Sequence, residues 1–251
     1  MSDTKKTLTL ITGADRGIGF ETAMALAKLG QHILLGSRDR DRGIEAVNKI
    51  KDAGYDAELI VLDVTSQDDI SRAQATVNKK YGHLDILINN AGIALDNHKD
   101  AAILSVDVIR KEFDVNFFGT VSMIQAFIPL LKKSPSAKII NVSSNMGSLG
   151  LASDPNSRFY KVSSLGYQSS KAAVNFATIT FAKELADTHI TVNSVNPGWT
   201  ATAFGGRDTN QPAPVGMQSV QKGAQQIIKL ASDPRNDLNG TFTENEGTLP
   251  W

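Results

Sequence analysis

The sequence predicts an α/β fold: a single domain with a doubly wound parallel sheet of about seven strands and helices on both faces. Two observations predict it. Short apolar runs alternate along the chain with longer segments whose apolar residues recur at helical spacing. Several of the short runs are apolar at almost every position, as expected for parallel strands that are covered on both faces.

These runs and segments place the elements in order along the chain. Strands are predicted at residues 7–12, 33–37, 58–62, 84–89, 138–143, 190–196 and 240–243. Helices are predicted at residues 19–29, 41–52, 67–81, 108–132, 166–186 and 220–231. No linker-like composition separates these units, and the Gly/Pro-rich stretch 205–216 comes too late to leave a second domain behind it. We therefore expect one domain over residues 1–251, with 205–216 as a loop beside a site.

Composition excludes several kinds of site and partner. Lysine plus arginine and aspartate plus glutamate number 26 each, so net charge gives no reason to expect nucleic acid or a membrane surface as a partner. The chain has no cysteine, which excludes disulfides, thiolate nucleophiles and cysteine-ligated metals, and we expect no metal site. The apolar run near the N-terminus spans only Leu8 to Ile11, whereas a secretory signal needs roughly 7–15 apolar residues and a membrane span about 20. We expect no membrane span anywhere and a cytoplasmic protein.

A glycine-rich turn follows the first predicted strand and opens the first helix. Residues 12–19 read Thr-Gly-Ala-Asp-Arg-Gly-Ile-Gly. Glycine lets the backbone turn sharply and approach a pyrophosphate, while the start of the helix offers free N–H groups and a partial charge of about +0.5. A turn without a ligand is the alternative. We predict a Rossmann-type dinucleotide site to which this turn contributes Gly13, Asp15, Arg16, Gly17, Ile18 and Gly19.

The end of the second strand distinguishes between the two nicotinamide dinucleotides. A site for NAD usually has an acidic residue about 20 residues beyond the glycine turn, where it binds the adenine-side ribose. Ser37 and Arg38 occupy that place here. A carboxylate would repel a 2′-phosphate, whereas a guanidinium binds it through paired charged hydrogen bonds. Arg16 is a second candidate for binding this phosphate, and we therefore predict NADPH/NADP+ as the cofactor. The alternative interpretation is that both arginines are solvated groups at the surface.

Further motifs follow in the order that one known family shows. They are Asn89-Asn90-Ala91-Gly92 after the fourth strand, Asn116 within a helix, Ser143-Ser144 after the fifth strand, Tyr167 and Lys171 in the spacing YxxxK, and Asn196-Pro197-Gly198 after the sixth strand. With the glycine turn, these motifs make the chain resemble the short-chain dehydrogenase/reductase family over nearly its whole length. It is most similar to the NADPH-dependent carbonyl reductases of that family. The resemblance implies an oxidoreductase that acts on a small-molecule carbonyl or alcohol.

Tyr167 and Lys171 are the predicted centre of the chemistry. Four residues apart on a helix, they share one face and lie one turn from each other. A tyrosine has a pKa near 10 in water, and a fixed ammonium nearby would favour the phenolate and lower that value. Tyr160 and Lys161 form a rival pair, but position 164 is serine, so no lysine lies one turn beyond Tyr160.

The resemblance assigns roles to the remaining catalytic and cofactor residues. It implies that Ser144 orients the substrate oxygen, with Ser143 as the alternative, that Asn116 holds a water linking Lys171 to solvent, and that Lys171 also binds the nicotinamide ribose. Asn116 could instead stabilise a bend in its helix. The implied cofactor contacts are Asp63, Val64, Asn90, Ala91, Gly92, Tyr167, Lys171, Pro197, Gly198 and Thr200. Asp63 as a plain helix N-cap is the other interpretation.

One departure from the family pattern bears on assembly. Ser144 and Tyr167 are 23 residues apart, about ten more than is usual in the family, so residues 145–166 must carry an extra loop or short helix over the site. Larger insertions at this place occur in monomeric carbonyl reductases, so a homo-oligomer is possible but the oligomeric state stays open.

The motifs are compatible with three functions: a carbonyl reductase, an alcohol dehydrogenase running toward oxidation, and a non-catalytic NADP(H)-binding sensor. The carbonyl reductase is favoured over the alcohol dehydrogenase because a preference for NADPH favours reduction. It is favoured over the sensor because Tyr167, Lys171 and Ser144 are all present.

Overall fold

The computed structural model describes residues 6–251, which form one eight-stranded sheet flanked by helices. The strands are β1 (Leu8–Ile11), β2 (His32–Ser37), β3 (Ala57–Val61), β4 (Ile86–Asn89), β5 (Ala137–Val142), β6 (Ile190–Val195), β7 (Phe242–Glu244) and β8 (Gly247–Thr248). Their order is β3-β2-β1-β4-β5-β6-β7-β8, parallel except for β8, which pairs antiparallel with β7. The order reverses between β1 and β4, and in doubly wound folds this is where a crevice opens beyond the carboxyl ends of the strands.

Helices cover both faces of this sheet, as the sequence predicts. They are α1 (Gly17–Lys28), α2 (Arg40–Asp52), α3 (Gln67–Tyr81), α4 (Val106–Phe113), α5 (Gly119–Leu131), α6 (Leu149–Ser153), α7 (Leu165–Glu184) and α8 (Val220–Ser232). The core consists of two apolar clusters, one on each face. Helices α1, α2 and α8 enclose one cluster, and α3, α5 and α7 enclose the other. The fold class predicted from the sequence is confirmed.

The long helix predicted at residues 108–132 is interrupted in the structure. A turn of π-helix, Asp114–Phe118, separates α4 from α5 within a continuous segment of 26 residues. By length and composition alone this segment is apolar enough to cross a membrane, contrary to the expectation of no such segment. Met123, Ile124 and Phe127 on its inner side are fully buried against the sheet. The segment therefore has the packing of a core helix in a globular domain.

The structure also contains short elements whose positions the sequence does not predict. These are β8, α6 and two 3-10 turns, Asn145–Gly147 and Phe204–Gly206. None is long enough to show a hydrophobic period, which is why the pattern of the sequence does not reveal them. Two of them, α6 and the first 3-10 turn, lie in the 145–166 insertion and provide its expected short helix.

A chain of buried polar side chains crosses the middle of the sheet. Asn89 of β4 donates to Asn141 of β5 (2.9 Å), and Asn141 donates to Thr178 of α7 (2.9 Å), whose hydroxyl lies 2.8 Å from that of Ser194 in β6. Buried amides and hydroxyls must find such partners, because leaving one unpaired costs about 1–3 kcal/mol. The chain therefore fixes α7 on the strands whose ends carry the candidate site.

We expect Asn141→Ala to lower the free energy of unfolding by about 2–4 kcal/mol, since it leaves both Asn89 and Thr178 without their shared partner. Urea unfolding measures this quantity. The control is Asn48→Ala, at an exposed position of α2, which should change it by less than about 0.5 kcal/mol. Equal urea midpoints for the two variants would contradict the structural role of the chain.

Candidate active site

Four side chains named by the sequence analysis meet beyond the carboxyl ends of β4 and β5. Tyr167 and Lys171 lie on the first two turns of α7 and are both buried. Ser144 follows β5, and its hydroxyl adjoins the Tyr167 phenol. Asn116 enters from the π-helical turn between α4 and α5. Three segments whose site residues lie 23 to 55 positions apart in sequence are thus brought to one place by the ends of parallel strands.

Lys171 lies beneath the tyrosine ring rather than at its hydroxyl. Its Nζ is 5.8 Å from the centre of the Tyr167 ring and donates a hydrogen bond of 2.8 Å to the carbonyl oxygen of Val142 at the end of β5. Burial lowers the pKa of Lys171 to about 8. The ammonium has three donors and uses one of them on Val142, so the others can bind a ligand.

The Tyr167 phenol is held in its protonated form. Burial raises its pKa to about 12; the Ser144 hydroxyl acts in the opposite direction, and the carboxyl groups of Glu112 and Asp96 raise the pKa further. The expectation that Lys171 lowers this pKa is therefore not met in the structure. The physical reason is that desolvation of the phenolate outweighs the nearby ammonium, which is directed at Val142.

The two serines after β5 differ in what they contact. Ser143 is buried, and its hydroxyl donates to the carbonyl oxygen of Lys171 at 3.4 Å. The hydroxyl of Ser144 accepts from the backbone N–H of Met146 at 3.2 Å, which leaves its proton free for the tyrosine or a ligand. The structure therefore places Ser144, and not Ser143, where it can act together with Tyr167.

Asn116 is fully buried and makes three hydrogen bonds. Its Oδ1 accepts from the backbone N–H of Ile93 (2.8 Å), while its Nδ2 donates to the Ile93 carbonyl oxygen (2.9 Å) and to the hydroxyl of Ser170 (2.9 Å). Ser170 in turn donates to the carbonyl oxygen of Tyr167 at 2.8 Å. The π-helical turn thus directs this amide between the loop after β4 and the start of α7, and π-turns of this kind are frequent at functional sites.

The glycine turn has the backbone that the sequence analysis expects. Gly13 and Gly17 have φ values of +60° and +58°, in the left-handed region that favours glycine, and a Cβ on Gly19 would collide with Asn90 and the backbone of Gly13. Asn90 donates from Nδ2 to the carbonyl oxygens of Thr12 (2.9 Å) and Gly13 (3.0 Å). It therefore fixes the turn to the end of β4, and Ala91 lies directly against Gly13.

The basic residues predicted to select the cofactor lie at the surface. Arg16 and Arg38 are exposed, and neither forms an ion pair among residues 6–251. Ser37 is buried, and its hydroxyl donates to the carbonyl oxygen of Asp39 at 2.8 Å. Arg42, which the sequence analysis did not name, links this region to the glycine turn, since its Nε lies 3.3 Å from Asp15 and 3.1 Å from Asp39.

Asp63 and Val64 occupy the end of β3 with different partners. Asp63 accepts from the N–H and the hydroxyl of Thr65 at 2.9 and 2.7 Å, which closes a turn. The N-cap of α3 is Ser66, not Asp63. The side chain of Val64 is buried against Gly119 of α5, where a Cβ would lie 2.8 Å from it. Any contact of Val64 with a ligand would therefore be through its backbone.

Hydrogen bonds between its own residues stabilise the turn after β6. Gly198 has φ +71°, and its N–H donates to Asn196 Oδ1 at 3.1 Å. The hydroxyl of Thr200 donates to the carbonyl oxygens of Pro197 and Gly198, both at 3.1 Å. Thr202, which the sequence analysis missed, lies against the glycine turn, because a Cβ on Gly17 would be 3.4 Å from its methyl group. This turn therefore faces the glycine loop across the crevice.

Large apolar side chains are exposed on the segments that follow β5 and β6. Phe204, in the 3-10 turn after β6, packs edge-on against Tyr167 with the ring centres 5.6 Å apart and is still 45% exposed. Trp199 and Leu149 are also largely exposed, on the 199–216 loop and in the insertion. The insertion is tied to the C-terminal residue, since Gly150 N donates to the carbonyl oxygen of Trp251 at 2.9 Å.

The residues present fit a dinucleotide along this crevice. The N-cap of α1, Arg16, makes no side-chain capping bond and the first turn carries no acidic residue, so the helix start is open to an anion. Gly92 leaves room beside the catalytic cluster: a Cβ there would be 3.3 Å from Asn116 Oδ1 and 3.5 Å from Lys171 Nζ. The glycine turn and Gly92 thus form a cradle that side chains would fill.

Known proteins are similar to this chain in sequence and in fold. A family model described as short chain dehydrogenase matches residues 7–213. A short-chain dehydrogenase of Penicillium roqueforti is 34% identical over 99% of this chain and 98% of its own. The NADPH-bound carbonyl reductase from chicken fatty liver has a TM-score of 0.84 at 26% identity, over 98% of this chain and 100% of that chain. The 3-ketoacyl-(acyl-carrier-protein) reductase from Brucella melitensis, complexed with NADH, has a TM-score of 0.80 at 25% identity, over 95% and 96%.

The buried ammonium of Lys171 predicts a pH-dependent stability. Its pKa is about 8 in the folded chain against 10.5 for an ordinary lysine, so between these values the unfolded chain binds more protons and stability rises with pH. This increase in the free energy of unfolding amounts to up to about 3 kcal/mol, and it should be absent in Lys171→Met. Denaturant unfolding from pH 8 to 10 measures it, with exposed Lys183→Met on the same helix as control. Parallel pH curves for the wild type and Lys171→Met would refute the burial of this charge.

Proposed function

This chain belongs to the short-chain dehydrogenase family of oxidoreductases, and from this premise we propose that it reduces a carbonyl compound with NADPH, with Tyr167 as the proton donor. The observation that carries the proposal is the cluster of Ser144, Tyr167 and Lys171 at the carboxyl ends of the strands, beside a cradle for a dinucleotide. Hydroxyl donors aimed at one point can stabilise the negative charge that develops on a carbonyl oxygen.

The protonation states in this cluster favour reduction. A phenol whose pKa is about 12 keeps its proton at neutral pH, so it is ready to donate to an oxygen that gains negative charge. Ser144 holds the carbonyl oxygen beside the phenol, and NADPH, when bound, supplies the hydride to the carbonyl carbon. The proton of Tyr167 goes to the oxygen, so that the products are an alcohol and NADP+. Asn116 and Ser170 hold the first turn of α7 in place during the transfer.

Charges near the end of β2 support NADPH over NADH. Arg16 and Arg38 are exposed guanidinium groups without a carboxylate partner among residues 6–251. Asp39, the nearest carboxylate in sequence, caps α2 by accepting from Arg42 N at 3.1 Å and also pairs with the Arg42 side chain. Asp39 is therefore engaged by α2 and Arg42, and Arg16 and Arg38 can bind a 2′-phosphate. The relatives include an NADPH-bound carbonyl reductase, although another is bound to NADH.

The surroundings of Tyr167 indicate the kind of carbonyl compound. Phe204 contacts its ring, and Trp199 and Leu149 expose large apolar surfaces on the segments that follow β6 and β5. An apolar body next to the carbonyl group would bury these surfaces, each buried methylene contributing about 0.8 kcal/mol. We therefore propose cyclic ketones, aromatic aldehydes and quinones as the first substrates to test.

Tyr167→Phe should reduce turnover by at least about a thousandfold while leaving NADPH affinity within about twofold, because only the proton donor is removed. The measurement is the initial rate of NADPH oxidation with cyclohexanone, benzaldehyde and menadione, together with an NADPH titration by fluorescence. Tyr55→Phe, in the turn before β3 and remote from the site, is the matched control and should keep its activity. Turnover by Tyr167→Phe comparable to the wild type would overturn the assignment.

Arg38→Ala should weaken NADPH binding by about tenfold to a hundredfold and leave NADH binding nearly unchanged, since only NADPH has the 2′-phosphate. Dissociation constants for both cofactors, measured at one fixed salt concentration, test this difference, and NADH is the internal control. Arg72→Ala, an exposed arginine of α3, should change neither constant. If both cofactors lose affinity equally, Arg38 does not contact the 2′-phosphate.

A further inference from the structure

Two buried carboxyl groups lie behind Tyr167 and have no role in the reaction described above. Asp96, in the loop after β4, is 3% exposed, and Glu112, at the end of α4, is fully buried. Neither pairs with a lysine or an arginine within the described residues 6–251. Because burying charge without a cation is costly, such a pair needs a physical explanation.

Asp96 binds the first turn of the helix that carries Tyr167. Both of its carboxylate oxygens lie 2.7 Å from the hydroxyl of Ser164, and Oδ2 also accepts from the backbone N–H of Tyr167 at 3.2 Å. Sixty-eight and 71 residues separate these partners in sequence. The carboxylate thus contacts the backbone of the tyrosine itself, from a different element of the fold.

This contact replaces the usual cap of the helix. Ser164 is the N-cap of α7, yet its side chain makes no capping bond within its own helix. Tyr167 is the third residue of α7, and its N–H is one that an N-cap side chain normally satisfies. Asp96 satisfies it instead, and its negative charge lies at the positive end of a 20-residue helix. The position of the tyrosine is therefore set from the loop after β4.

The backbone beside Asp96 is strained in a way that supports this contact. Asn97 and His98 have φ values of +48° and +57°, and both are in the left-handed region that side chains other than glycine rarely adopt. His98 donates from its backbone N–H to Asp96 Oδ1 at 3.4 Å, and its Nδ1 lies 3.0 Å from the carbonyl oxygen of Ser163. The loop is thus fastened at two successive points to the start of α7. Strain of this kind is found mainly where a geometry is required for function.

Glu112 holds Asp96 in turn. Its Oε1 accepts from the backbone N–H groups of Leu95 at 2.7 Å and Asp96 at 3.3 Å. Its Oε2 is buried without a partner among residues 6–251 and lies against Gly166, where a Cβ would collide with it. Burial, together with the nearby Asp96, raises the pKa of Glu112, although its two backbone hydrogen bonds act in the opposite direction. A proton on Glu112 would avoid a second negative charge in this pocket.

We propose that Asp96, held by Glu112, is a positioning residue of the reaction: it fixes the Tyr167 backbone against Ser144. This inference rests on the proposed role of Tyr167. The loop that carries Asp96 continues directly from the Asn90–Gly92 segment beside the cofactor cradle. Binding of the dinucleotide and placement of the proton donor are thereby linked through one loop.

The titratable groups around Tyr167 belong to three elements. Lys171 lies on the same helix, Glu112 at the end of α4, and Asp96 and His98 on the loop after β4. Of these, Asp96 and Glu112 raise the pKa of the phenol. Removing the charge of Asp96 should therefore lower that pKa, so that tyrosinate forms at lower pH. A residue that only caps the helix would not alter the ionisation of the tyrosine.

Asp96→Asn tests the proposal in the full chain with NADP+ bound. The tyrosinate absorbance, after subtraction of Tyr167→Phe, should be larger in Asp96→Asn than in the wild type at every alkaline pH. With the best carbonyl of the panel above, kcat should fall by about tenfold to a hundredfold, while the KM of the carbonyl and the dissociation constant of NADPH change by less than about threefold. Ser164→Ala keeps the charge of Asp96 and removes the hydrogen bond between the Ser164 hydroxyl and the Asp96 carboxylate. It should lower kcat without changing the titration of Tyr167, and it provides the test if Asp96→Asn does not fold.

Asp85→Asn is the matched control for these measurements. Asp85 directly precedes β4, at the end of the strand opposite to the loop of Asp96. It also accepts from a backbone N–H, that of Leu8 (2.8 Å), and from a serine hydroxyl, that of Ser134 (2.7 Å), whereas Asp96 accepts from two backbone N–H groups and one serine hydroxyl. Asp85→Asn should lower the free energy of unfolding by about as much as Asp96→Asn does, and it should leave both kcat and the titration of Tyr167 unchanged. If Asp96→Asn behaves like Asp85→Asn, Asp96 only stabilises the fold and the proposal is overturned. If Tyr167→Phe itself remains active, the proposed function fails instead, so the two failures are distinguishable.

Discussion

The site depends on the reversal of strand order between β1 and β4, which sends the connections after these neighbouring strands to opposite faces of the sheet. Because helices cover both faces, the backbone groups at the carboxyl ends of the strands are among the few that remain accessible to a ligand. The glycine turn follows β1, and the Asn90–Gly92 segment follows β4. The Asn90 side chain donates to the carbonyl oxygens of Thr12 and Gly13, and the backbone N–H groups of Asn90 and Ala91 donate to the Thr12 hydroxyl, so several hydrogen bonds join the two segments.

Burial then decides the chemistry of the side chains that enter this crevice. Tyr167 and Lys171 carry the residue types and the spacing that favour a lowered phenol pKa, yet in the structure the loss of hydration dominates, so the lysine becomes less basic and the tyrosine less acidic. The same loss of hydration increases the free-energy cost of breaking a hydrogen bond in the pocket, since an unpaired buried group has no water to replace its partner. Asn116, Asp96 and Asn141 all serve as such partners for α7 or for the loops that contact it.

Helix interruption and loop strain occur where the structure brings these groups together. The π-helical turn at Asp114–Phe118 redirects the Asn116 amide, and Asn97 and His98 take left-handed conformations directly after Asp96. Asparagine and histidine adopt the left-handed region more often than most side chains, yet ordinary helical or extended backbone is open to them as well, so local preference alone requires neither deviation. Each is held by contacts from other elements, of Asn116 with Ser170 and of His98 with Ser163. The surrounding fold therefore stores the strain at the site.

The sequence by itself determined the α/β class, the bounds of the main strands and helices to within a few residues, and the family, because these depend on short-range periodicity and on motifs whose residues are close together. It also placed Tyr167 and Lys171 on one helical face, since their spacing alone requires it. Only the tertiary structure decided which of Ser143 and Ser144 meets the tyrosine, that Asp96 caps α7, and that Arg42 joins Asp39 to the glycine turn. These contacts join residues that lie up to 71 positions apart or depend on which way a side chain leaves its strand. No local pattern encodes them, because each exists only after the strands have set the distance between its two partners.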